Sequence, residues 1–147
     1  MTIRIGHVNL FTPDPERLCR FYADVLGFPE IEVARSPIFR ALDGGGIQFG
    51  FNAVAAYELL NLSDRQKSDG GVNCYFTIEV SDAETVAALA EKAAALGGQI
   101  IKPPYDSYYN ARQCVLADPE NNVFRVSHQR PGRAPYNGEL EGMNVAL

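Results

Sequence analysis

One pattern constrains this chain more than any other: the elements around residues 7–28 return about 68 positions later in the same order. The first copy runs from an alternating strand, through Asp14-Pro15, into a helical stripe that ends at Leu26-Gly27-Phe28. An offset of 68 sets His7 on Tyr75, Leu10 on Ile78, Asp14 on Asp82, Glu16 on Glu84 and Leu18 on Val86. A slip of two further residues sets Leu26-Gly27-Phe28 on Leu96-Gly97-Gly98. Few identities survive, but order, spacing and punctuation do, which is how a duplicated supersecondary unit reads. A chain of 147 residues has room for one domain built from two such halves.

In the first half, residues 3–11 alternate, with Val8 and Leu10 on one face and Ile5, His7, Asn9 and Phe11 on the other. Asp14 is the expected helix N-cap with Pro15 in the first turn, and Leu18, Phe21, Tyr22, Val25 and Leu26 repeat at buried-stripe spacing. Gly27 is the expected left-handed stop. Residues 29–35 and 38–42 read as two short strands about Ser36-Pro37, and the turn at Asp43 to Gly46 leads to a third over 47–52. This makes 3–52 one module. Residues 53–72, ending in a polar run and Gly70-Gly71, read as a linker with one helical turn at Tyr57-Glu58-Leu59-Leu60.

The second module spans 73–128. Cys74, Phe76, Ile78 and Val80 alternate with Asn73, Tyr75, Thr77 and Glu79, and Ser81-Asp82-Ala83-Glu84 matches a capping box opening an alanine-rich helix to Leu96. Strands are expected over 99–103 and 111–117, around an aromatic loop Tyr105-Asp106-Ser107-Tyr108-Tyr109, and over 123–128. Residues 129–147, punctuated by Pro and Gly, form an extension expected to pack at the periphery or across a subunit contact. The predicted fold class is α+β, with strand, helix and three strands given twice.

That arrangement resembles the vicinal oxygen chelate superfamily, which holds glyoxalase I, extradiol dioxygenases, fosfomycin-resistance enzymes and bleomycin-resistance-type binding proteins. The likeness rests on the His-Val-x-Leu opening, the Phe-Tyr-x-x-Val-Leu-Gly-Phe helix end and the Asp-Pro-x-x-Asn turn before the last strand, and it covers residues 3–128. It implies two βαβββ modules whose curved mixed sheets enclose a cavity. In metal-dependent members, ligands come from the first and last strands of each module. The matching positions here are His7, Gln48, Tyr75 and Arg125.

A divalent metal needs N, O or S donors with a free lone pair. His7 and Gln48 qualify. Tyr75, a phenol, must first lose its proton to bind a metal well, and Arg125 has no lone pair and carries a permanent charge. Two unit charges about 4 Å apart repel by roughly 4 kcal/mol at an effective dielectric of 20, and a dication doubles that. A degenerate metal site with no cofactor is therefore expected, the alternative being a divalent metal held through His7 and Gln48.

The strand pattern points to a polar inner face independently of the resemblance. Val8/Leu10, Ile47/Phe49/Phe51, Phe76/Ile78/Val80 and Phe124/Val126 alternate with His7/Asn9, Gln48/Gly50/Asn52, Tyr75/Thr77/Glu79 and Arg125/Ser127. If the apolar faces pack under the helices, the polar ones are left for a small molecule. The candidate ligand-binding residues are His7, Asn9, Gln48, Tyr75, Thr77, Tyr105, Tyr108, Tyr109, Arg112 and Arg125, and the candidate catalytic groups are Glu79 and His7. Quieter roles stand beside these: a hydrogen-bonded core histidine, an Arg125–Glu79 ion pair, and a packing cluster of loop tyrosines. His128, at a strand end, is expected at the surface.

A net charge of −5 without clustered Lys or Arg argues against nucleic acid as a partner. No apolar run is long enough to span a bilayer, and the N-terminus enters a strand pattern directly, so a cytoplasmic protein without membrane contact is expected. Cys19, Cys74 and Cys114 lack Cys-x-x-Cys spacing and read as reduced packing thiols, with a reactive Cys114 facing a cavity as the exception. The expected function is metal-free binding of a planar or anionic small molecule, in a homodimer by analogy with the family. Alternatives are a glyoxalase-like lyase or isomerase, more distantly a dioxygenase, and a purely structural dimerising domain.

Overall fold

The computed structural model describes residues 1–66 and 70–132. Two compact units divide between Val72 and Asn73. In the first, β1 (His7–Thr12) leads into α1 (Pro15–Leu26), then β2 (Phe39–Asp43), β3 (Gln48–Ala53) and the short α2 (Ala56–Leu59). β3 lies between its neighbours, parallel to β1 and antiparallel to β2. In the second, β4 (Phe76–Glu79) is followed by α3 (Ala83–Ala95), β5 (Gln99–Asp106), β6 (Ala111–Ala117) and β7 (Val123–Gln129). Their order is β4-β7-β6-β5, with β4 and β7 parallel. The class is α+β with two mixed sheets, as the sequence implies.

Asp14 starts α1 by accepting the Arg17 amide at 3.1 Å, and Gly27 stops it at φ 74°, its amide bonded to Ala23. The stripe of α1 lies on the apolar face of its sheet. Tyr22, fully buried, sits 4.9 Å from the Phe49 ring and 5.6 Å from that of Phe51. Each such side chain contributes about 1.5–3 kcal/mol by leaving water. α3 buries Val86, Ala90 and Ala93 instead, on the side of its sheet that also buries Cys114, Leu116, Phe124 and Val126. In α2, Tyr57 stacks on Phe11 of β1 at 3.8 Å.

Four local expectations need correction. The first module lacks a continuous strand over 29–35. Pairing with β2 begins, through Asp43 to Pro29 and Ile31 to Ala41, but Glu32–Ala34 coils into a tight 3₁₀ turn. Arg35 then folds back on Glu30, so the unit is strand, helix and two strands with this turn between. The regular strands start later than the alternation suggests, at His7 and Phe76, which leaves Tyr75 just outside β4. The cap of α3 is Asp82, not Ser81: its carboxylate accepts from Thr85 N at 2.8 Å and Thr85 Oγ1 at 2.7 Å. β5 continues through Tyr105 and Asp106, which therefore belong to a strand and not to the aromatic loop. The extension beyond residue 132 lies outside the described residues.

Gly50, buried in the middle of β3, is required by its neighbours. A Cβ there would stand 2.6 Å from Asn9 Nδ2 and 2.8 Å from the Phe39 ring. Gly50→Ala is expected to destabilise the fold by about 1–3 kcal/mol through this overpacking, measured by chemical denaturation; unchanged stability would contradict the close packing.

Candidate functional site

The polar side of the first sheet carries His7, Asn9, Gln48 and Asn52. Strand register places His7 beside Gln48 and Asn9 beside Gly50. The missing side chain at Gly50 lets Asn9 Nδ2 reach Asn52 Oδ1 at 2.6 Å. His7 is exposed and Gln48 half-buried.

The corresponding side of the second sheet holds a connected polar chain. Arg125 donates from Nε to Thr77 Oγ1 at 3.1 Å and from Nη1 to the Tyr109 hydroxyl at 2.9 Å. Tyr109 donates to Gln113 Oε1 at 2.7 Å, and Gln113 Nε2 donates to the Tyr105 hydroxyl. Each link fixes the next: the Tyr109 proton requires the amide oxygen, which aims the amide nitrogen at Tyr105 and leaves the Tyr105 proton available to a further acceptor. The Tyr75 ring lies 5.3 Å from the Arg125 guanidinium, and Tyr108 packs edge-on against Tyr109 at 5.0 Å. Lys102 Nζ covers the Tyr105 ring at 3.6 Å.

Arg125 thus spends its hydrogen bonds on a hydroxyl and a phenol, both neutral. Among the described residues no carboxylate pairs with it. The alternative ion pair with Glu79 is not formed: Glu79 Oε1 accepts the Gln129 amide at 2.6 Å. A guanidinium with neutral partners has its charge unpaired by them.

Of the residues singled out in sequence, Thr77, Tyr105, Tyr109 and Arg125 join this chain, with Tyr75 and Tyr108 against it. Arg112 does not. It shares with Cys114 the side of β6 opposite Gln113 and pairs with Asp106 at 3.5 Å. Asp106 also accepts from Arg130 at 2.8 Å, and that bond holds its carboxyl below the ordinary carboxylate range. His128, expected at the surface, is half-buried with Nδ1 3.0 Å from the Val80 carbonyl, a contact that needs the proton on Nδ1.

Gln113 escaped the sequence reading although it is the centre of the chain and only 1% exposed. A signal was present: if Cys114 and Leu116 turn toward a helix, the residue between Arg112 and Cys114 turns the other way. The Arg112 charge drew attention to the wrong face.

The four positions matched to metal ligands comprise an imidazole, an amide, a phenol and a guanidinium. Tyr75 is 53% exposed beneath Arg125. Among the described residues no group of three His, Cys, Asp or Glu side chains is arranged to hold a metal. No described helix is long and apolar enough to cross a membrane.

This combination of two mixed sheets, each with one helix-covered face and one polar face, defines a glyoxalase-type α+β protein. The chain belongs to the Glyoxalase/Bleomycin resistance protein/Dioxygenase superfamily, whose family model matches residues 4–126. A solved glyoxalase/bleomycin resistance protein/dioxygenase family enzyme from Burkholderia phytofirmans PsJN is 44% identical, with a TM-score of 0.82 over 85% of this chain and 98% of that one. The fosfomycin resistance protein FosX of Mesorhizobium loti shares the fold at 18% identity, with a TM-score of 0.65 over 89% of this chain and 96% of its own. The Mycobacterium tuberculosis protein named "Putative glyoxylase CFP32" is 30% identical over 129 residues, 84% of this chain. The chain spans 43% of that curated relative's length.

Cys114 does not face the polar side. Its Sγ is 3.8 Å from the Val86 carbonyl of α3, and burial pushes its pKa up to about 11. Burial, reinforced by Glu30, does the same for Cys19, again to about 11. At pH 8 a thiol with that pKa is about 0.1% thiolate. Native protein treated with iodoacetamide at pH 8 is therefore expected to be modified at exposed Cys74 at least about 100-fold faster than at Cys19 or Cys114. Peptide mass spectrometry measures the ratio, and comparable labelling of all three would contradict the burial.

Proposed function

We propose that the protein binds a planar, anionic small molecule without a metal. The observation that carries this reading is the Arg125 guanidinium, tied to neutral partners and flanked by Tyr75 and Tyr109. A bidentate anion would meet the remaining Arg125 donors, a planar body would stack on the tyrosines, and the Tyr105 hydroxyl would supply a second donor. Arg125 has no lone pair to give a cation, and its charge opposes a dication at the matched ligand position; the donor set does not fit the metal of the metal-dependent relatives.

A second reading is a glyoxalase-like lyase or isomerase, for which the glyoxylase name of the mycobacterial relative and the exposed imidazole of His7 speak. Arg125 of the second unit is then the candidate oxyanion partner, and His7 of the first unit the candidate general base. Glu79 suits that role less well, since the Gln129 amide holds its carboxylate. Turnover of a thiol adduct of a dicarbonyl compound, with and without added Zn, Ni, Mn or Fe, separates the two readings. We also expect a homodimer by analogy with the family, which light scattering measures.

Isothermal titration with aromatic carboxylates is expected to show binding that Arg125→Gln weakens by at least about tenfold, the scale of one lost charge-assisted hydrogen bond. Gln113→Leu, which cuts the chain without removing charge, is expected to weaken it less. Metal-dependent binding, or affinity indifferent to Arg125→Gln, would overturn the proposal.

A further inference from the structure

A second concave surface lies wholly within the first unit, on the helix-covered side of its sheet. Between α1, the 3₁₀ turn and β2 opens a cleft of about 390 Å³, with three arginines and two glutamates around Cys19, Ala23 and Leu42. That volume is within the range of small-molecule sites. Leu42 and Cys19 are buried beneath it, so the accessible lining is mostly polar, with half-buried Ala23 as its apolar contact.

The arginines differ in what they already hold. Arg35 grips both oxygens of Glu30, from Nε at 2.7 Å and from Nη2 at 2.6 Å, with Glu32 3.5 Å away. That grip holds the Glu30 carboxyl below its ordinary range. Arg20 pairs with Glu16 at 2.9 Å. Arg40 has no carboxylate among the described residues. Its Nη1 alone is engaged, by the carbonyls of Ser36 at 2.7 Å and Phe39 at 2.9 Å.

Those two carbonyls anchor the guanidinium and leave its other edge, Nε with Nη2, without an acceptor among the described residues. The same edge of Arg35, in the same cleft, takes a carboxylate in two-point fashion. Arg40 is half-buried, where such a pair is worth more than at an open surface. The Cys19 thiol beside it stays protonated at neutral pH and adds no competing negative charge.

We propose that this cleft binds a small organic monoanion, a carboxylate, through the Nε–Nη2 edge of Arg40 with its body against Ala23. Arg40 is the guanidinium of the cleft without an ion pair among the described residues, and Glu16, Glu30 and Glu32 disfavour more than one added negative charge. The site is on a different unit and a different sheet face from the Arg125 chain, and it stands or falls independently of the function proposed above.

The test is a titration of the full chain, labelled with ¹⁵N-arginine, with sodium benzoate, using benzamide as the neutral isostere and sodium chloride as the ionic control. The Arg40 Nε–H resonance is expected to move and saturate with benzoate at millimolar concentration and to stay in place with benzamide and chloride. Arg40→Gln should abolish saturable binding at the cleft, read from the Arg35 Nε–H resonance. Ala23→Leu, which fills the floor and leaves Arg40 in place, should weaken it at least about tenfold. Circular dichroism checks that both variants fold, and Arg125→Gln should leave the Arg40 response unchanged. Absence of a saturable Arg40 shift, an equal response to benzamide, or indifference to Ala23→Leu would overturn the proposal. A benzoate response confined to Arg125 would overturn it while leaving the Arg125 reading intact.

Discussion

The packing of Tyr22 against Phe49 and Phe51 is the constraint on which the first unit depends. Side chains on a strand alternate, so once those rings are committed to α1, every second residue of β1 and β3 must turn the other way. His7, Asn9, Gln48 and Asn52 share a face for that reason. The second unit obeys the same rule with smaller groups on the helix, Val86, Ala90 and Ala93, and larger ones on the sheet, such as Leu116 and Phe124. In both units a hydrophobic contact on one side determines where polar chemistry is possible on the other.

What each polar face then does is a matter of hydrogen-bond direction. On β7, Arg125 meets a hydroxyl and a phenol, and the donor order runs through Tyr109 and Gln113 to Tyr105. Burying an amide such as Gln113 is costly unless both its ends are satisfied, and both are. The result is a rigid support for a cation that, among the described residues, no carboxylate neutralises. On the helix side of β2, the carbonyls of Ser36 and Phe39 hold Arg40 in the same manner. Two guanidiniums on separate units are therefore positioned by neutral groups.

Membership of the glyoxalase superfamily accounts for the scaffold but does not choose a chemistry, because one scaffold hosts many sites. The choice rests with particular side chains. At Arg125 the side chain brings a permanent positive charge and no lone pair, which opposes a cation and suits an anion.

The duplicated strand–helix pattern, the Asp14 cap, the Gly27 stop and the two-faced strands were legible in the chain, because each depends on residues within a turn or two of one another. Regular strand limits, the 3₁₀ turn at Glu32–Ala34 and the extension of β5 through Asp106 were not, since a strand exists only as far as its neighbour pairs with it. Gln113 and Arg40 were missed for a related reason. Their roles depend on partners brought in from other elements, such as Tyr105 and Tyr109 around Gln113, or on the edge of a guanidinium left open once backbone carbonyls have claimed the rest. Sequence by itself determined the fold and the residues that share each strand face, through local periodicity. Only tertiary structure decided which of those side chains touch, and so which charges stay free, because hydrogen-bond geometry is set by strand register and loop path.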